Sequence, residues 1–390
     1  MKITQLWLLN FRNYENTRLE FADSNLIVGP NGAGKTNILE AIDILATSRS
    51  RIVKGLNKCI RHGQPGFAIA GRFAYPPFDS AQGSTGSTQS LQNDFVHSSL
   101  SGAQTGSGFT VAFRQERGTE RTIKIDDEVL TRTSELIGRV NSVIFLPGDL
   151  ELVHGPPVLR RKYLDIIISQ TASDYYQDLQ TYTRALKQRN ELLKSLRGAA
   201  RSAEDGLAVW DRQLADGAAR ILLKRREYLE FFARETGRLY NEMGFAGVLT
   251  LRYKTNVTAD AHRNLELLTA ARAEDVRFGR THCGTHADDF EFWLDDSKAA
   301  EFCSQGQQRL LAIAFKCAET KIKTDKLKDP PLVLVDDVLL ELDVERLNKI
   351  ITALAPQSQK IFTVTDTGRF AADALQKMRI IRVKQGRLEA

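Results

Sequence analysis

Gly29-Pro30-Asn31-Gly32-Ala33-Gly34-Lys35-Thr36 satisfies the phosphate-binding pattern G-x-x-x-x-G-K-[ST] at every constrained position. The apolar run Leu26-Ile27-Val28 precedes it, and Asn37-Ile38-Leu39-Glu40-Ala41-Ile42-Asp43-Ile44-Leu45 follows with apolar residues at helical spacing. Strand, glycine-rich loop and helix in that order are the context such a loop needs. Glycines let successive backbone N–H groups turn inward around phosphates, and the helix N-terminus adds partial positive charge. The pattern puts Lys35 on the β- and γ-phosphates of ATP and the Thr36 hydroxyl on Mg²⁺. Gly29, Pro30, Asn31, Gly32, Ala33 and Gly34 line the cradle. An α/β fold with a nucleotide at a strand end is expected.

The rest of the chain bounds that reading. Its 390 residues suffice for two or three structural units, with the composition of an ordinary soluble protein. No run of eighteen apolar residues occurs, so no membrane span is expected. Met1-Lys2-Ile3-Thr4-Gln5-Leu6-Trp7-Leu8-Leu9 reads as a strand and lacks the basic start and small-residue cleavage site of an export signal. Cys59, Cys283, Cys303 and Cys317 show no C-x-x-C spacing, which fits a reducing, cytoplasmic compartment. His282, Cys283 and His286 make only an incomplete metal-ligand set, so a loop or core role is expected for them.

Organisation changes along the chain. Residues 1–150 read mainly as strands and short loops, including Phe67–Phe73, Phe109–Phe113 and Ser142–Leu146. Between them, 78–108 is rich in Ser, Gly, Gln and Thr and reads as a flexible hairpin insertion. Helices are expected over Pro157–Ser169, Asp174–Leu196 and Gly206–Met243, with a strand at Val248–Tyr253. The expected division is thus an ATPase lobe of residues 1–150 and 280–390, interrupted by a mainly helical lobe at 151–279. Net charge is +6, and residues 151–280 carry 22 Lys and Arg against 17 Asp and Glu. That excess would draw an anionic partner such as DNA to the helical lobe, although long helices commonly carry such charges as a solvated face.

Far downstream, Leu332-Val333-Leu334-Val335-Asp336-Asp337 is an apolar strand ending in two carboxylates, the Walker B pattern of P-loop ATPases. Asp336 is assigned to the metal and Asp337 to the attacking water. Ser304-Gln305-Gly306-Gln307-Gln308-Arg309 opens the apolar helix beginning at Leu310. Ser304 is a good helix N-cap. The element also resembles the signature motif of ABC-type ATPases, where Ser304, Gly306 and Gln307 would face a γ-phosphate held on another subunit's P-loop. Glu341-Leu342-Asp343 resembles the D-loop of such proteins, and Thr365, closing the strand Lys360–Thr365, occupies the place of their γ-phosphate sensor.

Several segments narrow the resemblance to the RecF family of bacterial recombination mediators. They are Asn10-Phe11-Arg12-Asn13-Tyr14, Thr36 to Ala41, Ser50-Arg51, Leu146 through Asp165, Tyr182 to Lys194, Ser304 to Arg309, and Asp336 to Asp343. The likeness covers essentially the whole chain except the insertion at 78–108. Two departures stand out. The family's usual Gly-Pro-His-Arg-Asp-Asp reads Gly284-Thr285-His286-Ala287-Asp288-Asp289, and Leu340 replaces a small polar residue. The resemblance implies an ABC-type P-loop ATPase head, SMC-like, with an inserted helical lobe and no long coiled coil. It implies a homodimer closed by ATP around DNA and reopened by slow hydrolysis. It further implies a part in repair, replication restart and SOS induction, with RecO and RecR helping to load RecA at gaps.

Arg160, Arg161 and Lys162, with Arg184, Lys187, Lys194, Arg197 and Arg201, are candidates for DNA phosphates. No groove-reading motif accompanies them, so binding would be insensitive to sequence. Alternative readings are the ATPase subunit of a membrane transporter, a small-molecule kinase and a nuclease-linked ATPase. The helical lobe and basic charge disfavour the first, and Ser304–Arg309 goes unexplained in the second. No further acidic cluster supports the third.

Overall fold

A computed structural model describes residues 1–75, 108–196, 204–245, 247–337, 344–354, 357–368, 370 and 372–389. Its contacts divide the chain into one unit of Met1–Pro147 with Lys323–Ala390 and a second of Gly148–Ile322.

The first unit is built on two six-stranded sheets. One is antiparallel, ordered β2-β1-β4-β5-β6-β7, from β1 (Lys2–Phe11), β2 (Tyr14–Glu20), β4 (Gly66–Ala74), β5 (Gly108–Glu116), β6 (Thr122–Ile125) and β7 (Glu128–Val129). The other is ordered β15-β14-β3-β13-β12-β8. It comprises β3 (Ser24–Val28), β8 (Ser142–Phe145), β12 (Leu332–Asp336), β13 (Lys360–Val364), β14 (Arg379–Lys384) and β15 (Arg387–Glu389). All its pairings are parallel except that of the edge strand β15. Strands such as β12 (Leu-Val-Leu-Val-Asp) are buried at every position, as expected when both faces of a parallel sheet are covered. Helix α1 (Lys35–Thr47) is buried nearly all round, its Glu40 and Asp43 included. Its Ile38, Leu39, Ile42 and Leu45 share one core with Leu6, Ile69 and Phe73 of the antiparallel sheet and Ile27 and Leu334 of the parallel one.

The hairpin expected around the insertion is present in its arms, where β4 and β5 pair from Gly66↔Glu116 to Ala74↔Gly108. Positions 78–107 between them lie outside the described residues, as do Leu340, Glu341–Asp343, Arg197 and Arg201.

The second unit carries the three long helices near their expected limits: α2 (Pro157–Thr171), α3 (Ser173–Leu196) and α4 (Glu204–Glu242). Two shorter helices follow the strand β9 (Leu249–Lys254), namely α5 (Ala261–Ala270) and α6 (Arg272–Phe278). The chain was expected to return to the ATPase lobe at 280, but it leaves this unit only at residue 322, inside α7 (Gln305–Leu327). The reason is pairing and packing that a local reading does not reveal. β10 (Asp289–Leu294) lies between β9 and β11 (Ser297–Lys298) in a three-stranded sheet. Phe315 of α7 packs against Phe232, Phe292 and Tyr163, with ring centroids 4.4, 5.1 and 5.5 Å away.

Buried arginines tie this unit together. Arg225, 2% exposed, reaches Asp165, Asp288 and the Thr285 carbonyl. Arg189, fully buried, bonds Asp211 and Asp275 at 2.6 Å each and Thr281 at 2.8 Å. Removing one member of such a set leaves charges buried without compensation, at a typical cost of about 3–5 kcal/mol. Arg225→Ala is therefore expected to lower the melting temperature and speed amide exchange across 148–322. Unchanged exchange in that segment would refute the clamp.

Candidate nucleotide site

The glycine-rich loop leaves β3 at the edge where the parallel strands end, the usual ligand-binding edge of such sheets. Gly34 is the N-cap of α1 with φ +111°, and a Cβ there would sit 2.6 Å from the Asn13 amide. Only glycine fits both demands. Tyr14 donates its hydroxyl to the Gly34 carbonyl at 3.0 Å, and Asn13 Nδ2 donates to the Ala33 carbonyl at 2.8 Å. The β1–β2 turn thereby braces the loop. Lys35 is 4% exposed, and its Nζ donates to the Gly29 carbonyl at 2.8 Å.

Strand pairing carries the acidic residues to this loop. The Thr36 hydroxyl lies 2.7 and 2.9 Å from the two Asp336 carboxylate oxygens. Asp337 Oδ2 lies 3.7 Å from Lys35 Nζ. Asp337 Oδ1 is buried and has no hydrogen-bond partner among the described residues. Its backbone sits at φ +45°, a left-handed conformation uncommon outside glycine.

Thr363 is the functional-site residue the sequence reading missed. It pairs in register with Asp336. Its hydroxyl donates to Asp336 Oδ1 at 2.8 Å and accepts from the Asp337 N–H at 3.1 Å. The signal available was a polar residue inside the otherwise apolar strand core Ile361-Phe362-Thr363-Val364. Thr365, the expected sensor, is exposed, and its hydroxyl faces Asp366 at 3.5 Å.

Burial pushes the Asp336 carboxyl above its usual range, against the hydrogen bonds from Thr36 and Thr363 and the charge of Lys35. Burial also raises Asp337, opposed by Lys35 and reinforced by the neighbouring Asp336 charge. A hydroxyl and a carboxylate converging at the loop are hard oxygen donors. They suit Mg²⁺, which commonly takes one or two protein ligands and completes its shell with phosphate and water.

Ser304 belongs to the second unit and forms a reciprocal capping box at the start of α7. Gln307 N donates to Ser304 Oγ at 3.3 Å, and Ser304 N donates to Gln307 Oε1 at 2.9 Å. Ser304 and Gly306 are exposed, and nothing lies within 4 Å of where a Gly306 Cβ would stand.

The basic candidates separate. Arg160 is 5% exposed, grips Asp289 with two bonds of 2.8 Å and donates to the Gly155 carbonyl. Arg161 donates to the Asp288 carbonyl at 2.5 Å. The proposal that Arg160 meets DNA is thus corrected, because helical spacing turns it inward with Tyr163, Leu164 and Ile167. Arg161 is half-buried on the same helix, which makes it a brace rather than a free cation. Lys162, Arg184 and Lys187 are exposed, the last lying 3.9 Å from Glu191. His282 bonds Asp275 and His286 bonds Tyr182, and no metal-binding cluster occurs among the described residues.

A family model for the RecF/RecN/SMC N-terminal domain matches residues 2–389. The DNA replication and repair protein RecF of Synechococcus sp. (strain JA-2-3B'a(2-13)) is 32% identical over 401 residues, covering all of this chain and 97% of that protein. RecF of Geobacillus kaustophilus (strain HTA426) is 32% identical over 400 residues, with both chains fully covered.

The chain belongs to the RecF family.

A solved structure of the recombination mediator protein RecF-ATP in the RecFOR pathway matches with a TM-score of 0.85 at 27% identity, covering 99% of this chain and 96% of that one. An Smc head bound to the C-winged helix domain of ScpA matches with a TM-score of 0.55 at 17% identity, over 100% of this chain and 96% of that one, a likeness of fold alone. The fold is that of an ABC-type ATPase head, without a long coiled coil among the described residues. These RecF matches lend no support to the transporter reading, and no described helix is long and apolar enough to cross a membrane.

The raised acids carry a pH signature. A carboxyl whose folded value is raised binds its proton more tightly in the folded state. That contribution to stability is full below the unfolded value and is lost as pH rises through the folded one. Asp336→Asn removes the buried charge and is expected to raise the melting temperature of the nucleotide-free protein near neutral pH. The gain should shrink as the parent is acidified. Thermal melts across pH would check this, and equal melting at every pH would contradict it.

Proposed function

We propose that this RecF-family protein is an ATP-dependent DNA-binding protein of replication and repair. ATP closes a homodimer on DNA, and slow, DNA-stimulated hydrolysis releases it. The observation that carries this reading is the 2.7 Å contact between Thr36 and Asp336, which joins the phosphate loop to the Walker B strand in one site.

In this reading Lys35 and the N–H groups of Gly32 to Thr36 hold the phosphates. Thr36 and Asp336 hold Mg²⁺, which when bound neutralises phosphate charge. Asp337 accepts a proton from the attacking water at Oδ1, the buried oxygen left without a partner. Its raised proton affinity suits a general base, whose best value lies near the working pH. Thr363 is a positioning residue that sets both acids. Ser304, Gly306 and Gln307 serve the triphosphate bound to a second copy of the chain, so a single copy holds two halves of different sites.

Exposed Lys162, Arg184, Lys187 and Lys194 are the remaining described candidates for DNA phosphates. Such contacts make affinity fall steeply with salt and vary little with sequence. By family membership, the proposed cellular role is assistance to RecA loading at gaps and SOS induction with RecO and RecR.

Ser304→Arg is expected to retain ATP binding while losing the ATP-dependent doubling of mass in light scattering. A variant that still doubles would remove Ser304 from the dimer site. Asp337→Asn is expected to bind ATP, remain dimeric on DNA and hydrolyse at least about a hundredfold more slowly, as loss of a general base typically costs. Single-turnover rates near those of the parent would remove Asp337 as the base.

A further inference from the structure

Helix α6 (Arg272–Phe278) ends in a tight, fully bonded turn. Gly279 has φ +67°, and its N–H and that of Arg280 return to the Val276 and Asp275 carbonyls at 3.3 and 3.1 Å. That closure is a common glycine-dependent helix stop. It leaves Phe278, the last helical residue, 48% exposed. A lone exposed apolar side chain is ordinary on a protein surface. This one is held in place and framed by cations.

His282 meets the Phe278 ring edge-on, with centroids 5.2 Å apart. The imidazole is itself fixed, because Nδ1 lies 2.7 Å from Asp275 Oδ1 and Nε2 accepts from Arg280 Nε at 3.2 Å. Asp275 is fully buried and bonded to Arg189, so the aromatic pair stands on one of the clamps that tie the helical unit together. The Arg277 guanidinium lies 5.4 Å from the Phe278 ring centroid. Lys194 of α3 packs its stem on Gly279, where a Cβ would stand 3.4 Å from Lys194 Cγ. Lys194, Arg277 and Arg280 are exposed and have no carboxylate partner among the described residues. Glu274, on the same helix as Phe278, is exposed, and Glu191 lies 3.9 Å from Lys187. A positive surplus thus surrounds the ring.

Compensation of a helix C-terminus accounts for Arg277. It does not account for an ordered aromatic face offered to solvent, nor for a lysine brought beside it from another helix. A flat apolar ring among unpaired cations suits an aromatic face carried on an anionic chain. In a duplex the base faces are hidden in the stack, so only an unpaired base presents one. We propose that Phe278 is the surface on which an unpaired base of a DNA strand stacks, with its flanking phosphates on Lys194, Arg277 and Arg280. This deepens the DNA-binding reading above, on which it rests, by adding a base contact to the phosphate contacts. Arg184 and Lys187, exposed on the Lys194 face of α3, continue the basic track away from the ring.

Fluorescence anisotropy of the full chain at low salt tests the site with two labelled probes: single-stranded oligothymidylate, and an abasic strand of the same length and charge. Phe278→Ala is expected to weaken oligothymidylate about tenfold, in the range of one lost stack, and the abasic strand by less than about twofold. Phe278→Leu, apolar without a flat face, should behave like Phe278→Ala, and Phe278→Trp should bind at least as tightly as the parent. Parental affinity for oligothymidylate in Phe278→Ala, equal weakening of both strands, or full binding by Phe278→Leu would each overturn the assignment. Lys194→Gln is expected to weaken both strands together and to flatten their salt dependence. A parent protein that binds neither strand would remove the DNA-binding reading itself, and this site with it.

Discussion

Thr36 and Asp336 stand 300 positions apart in the chain, yet their side-chain oxygens lie 2.7 Å apart. That contact depends on three parallel strands being in register, β3 beside β13 and β13 beside β12. A one-residue slip in any of them would turn the whole strand over and carry its polar residue to the opposite face. Long apolar runs buried on both sides specify the stack, and the polar residues at its end inherit that order. Thr363, placed by the same register, then joins both acids.

Holding two carboxylates at the buried end of a sheet opposes their solvation, and the raised proton affinities of Asp336 and Asp337 register that opposition. The fold tolerates it because hydroxyl donors from Thr36 and Thr363 and the Lys35 ammonium stand within reach. A site so arranged gains when a cation and water take up the remaining oxygens. Stability without ligand is given up for readiness to bind, a common feature of functional sites.

The second unit solves a different problem with similar chemistry. Its long helices present arginines inward, and Arg160, Arg189 and Arg225 are each matched to acids from distant segments. Asp288 and Asp289, at the start of β10, receive two of these three. The segment that departs from the family pattern at Ala287 therefore keeps its structural acids, and Ala287 itself is exposed. Basic residues that local spacing marks as DNA candidates divide here into inward clamps and outward charges.

The amino-acid sequence by itself determined the elements and the nucleotide chemistry. The glycine-rich loop, the apolar strand ending in Asp336-Asp337 and the three long helices are local patterns of backbone conformation and hydrophobic period, which neighbouring residues suffice to set. Tertiary structure decided what depends on partners far along the chain: that Thr363 joins the two acids, that Arg160 faces inward, and that 280–322 stays with the helical unit. Burial and strand pairing across hundreds of residues set these, because the energy of a charge or a hydroxyl depends on what surrounds it rather than on what precedes it in the chain.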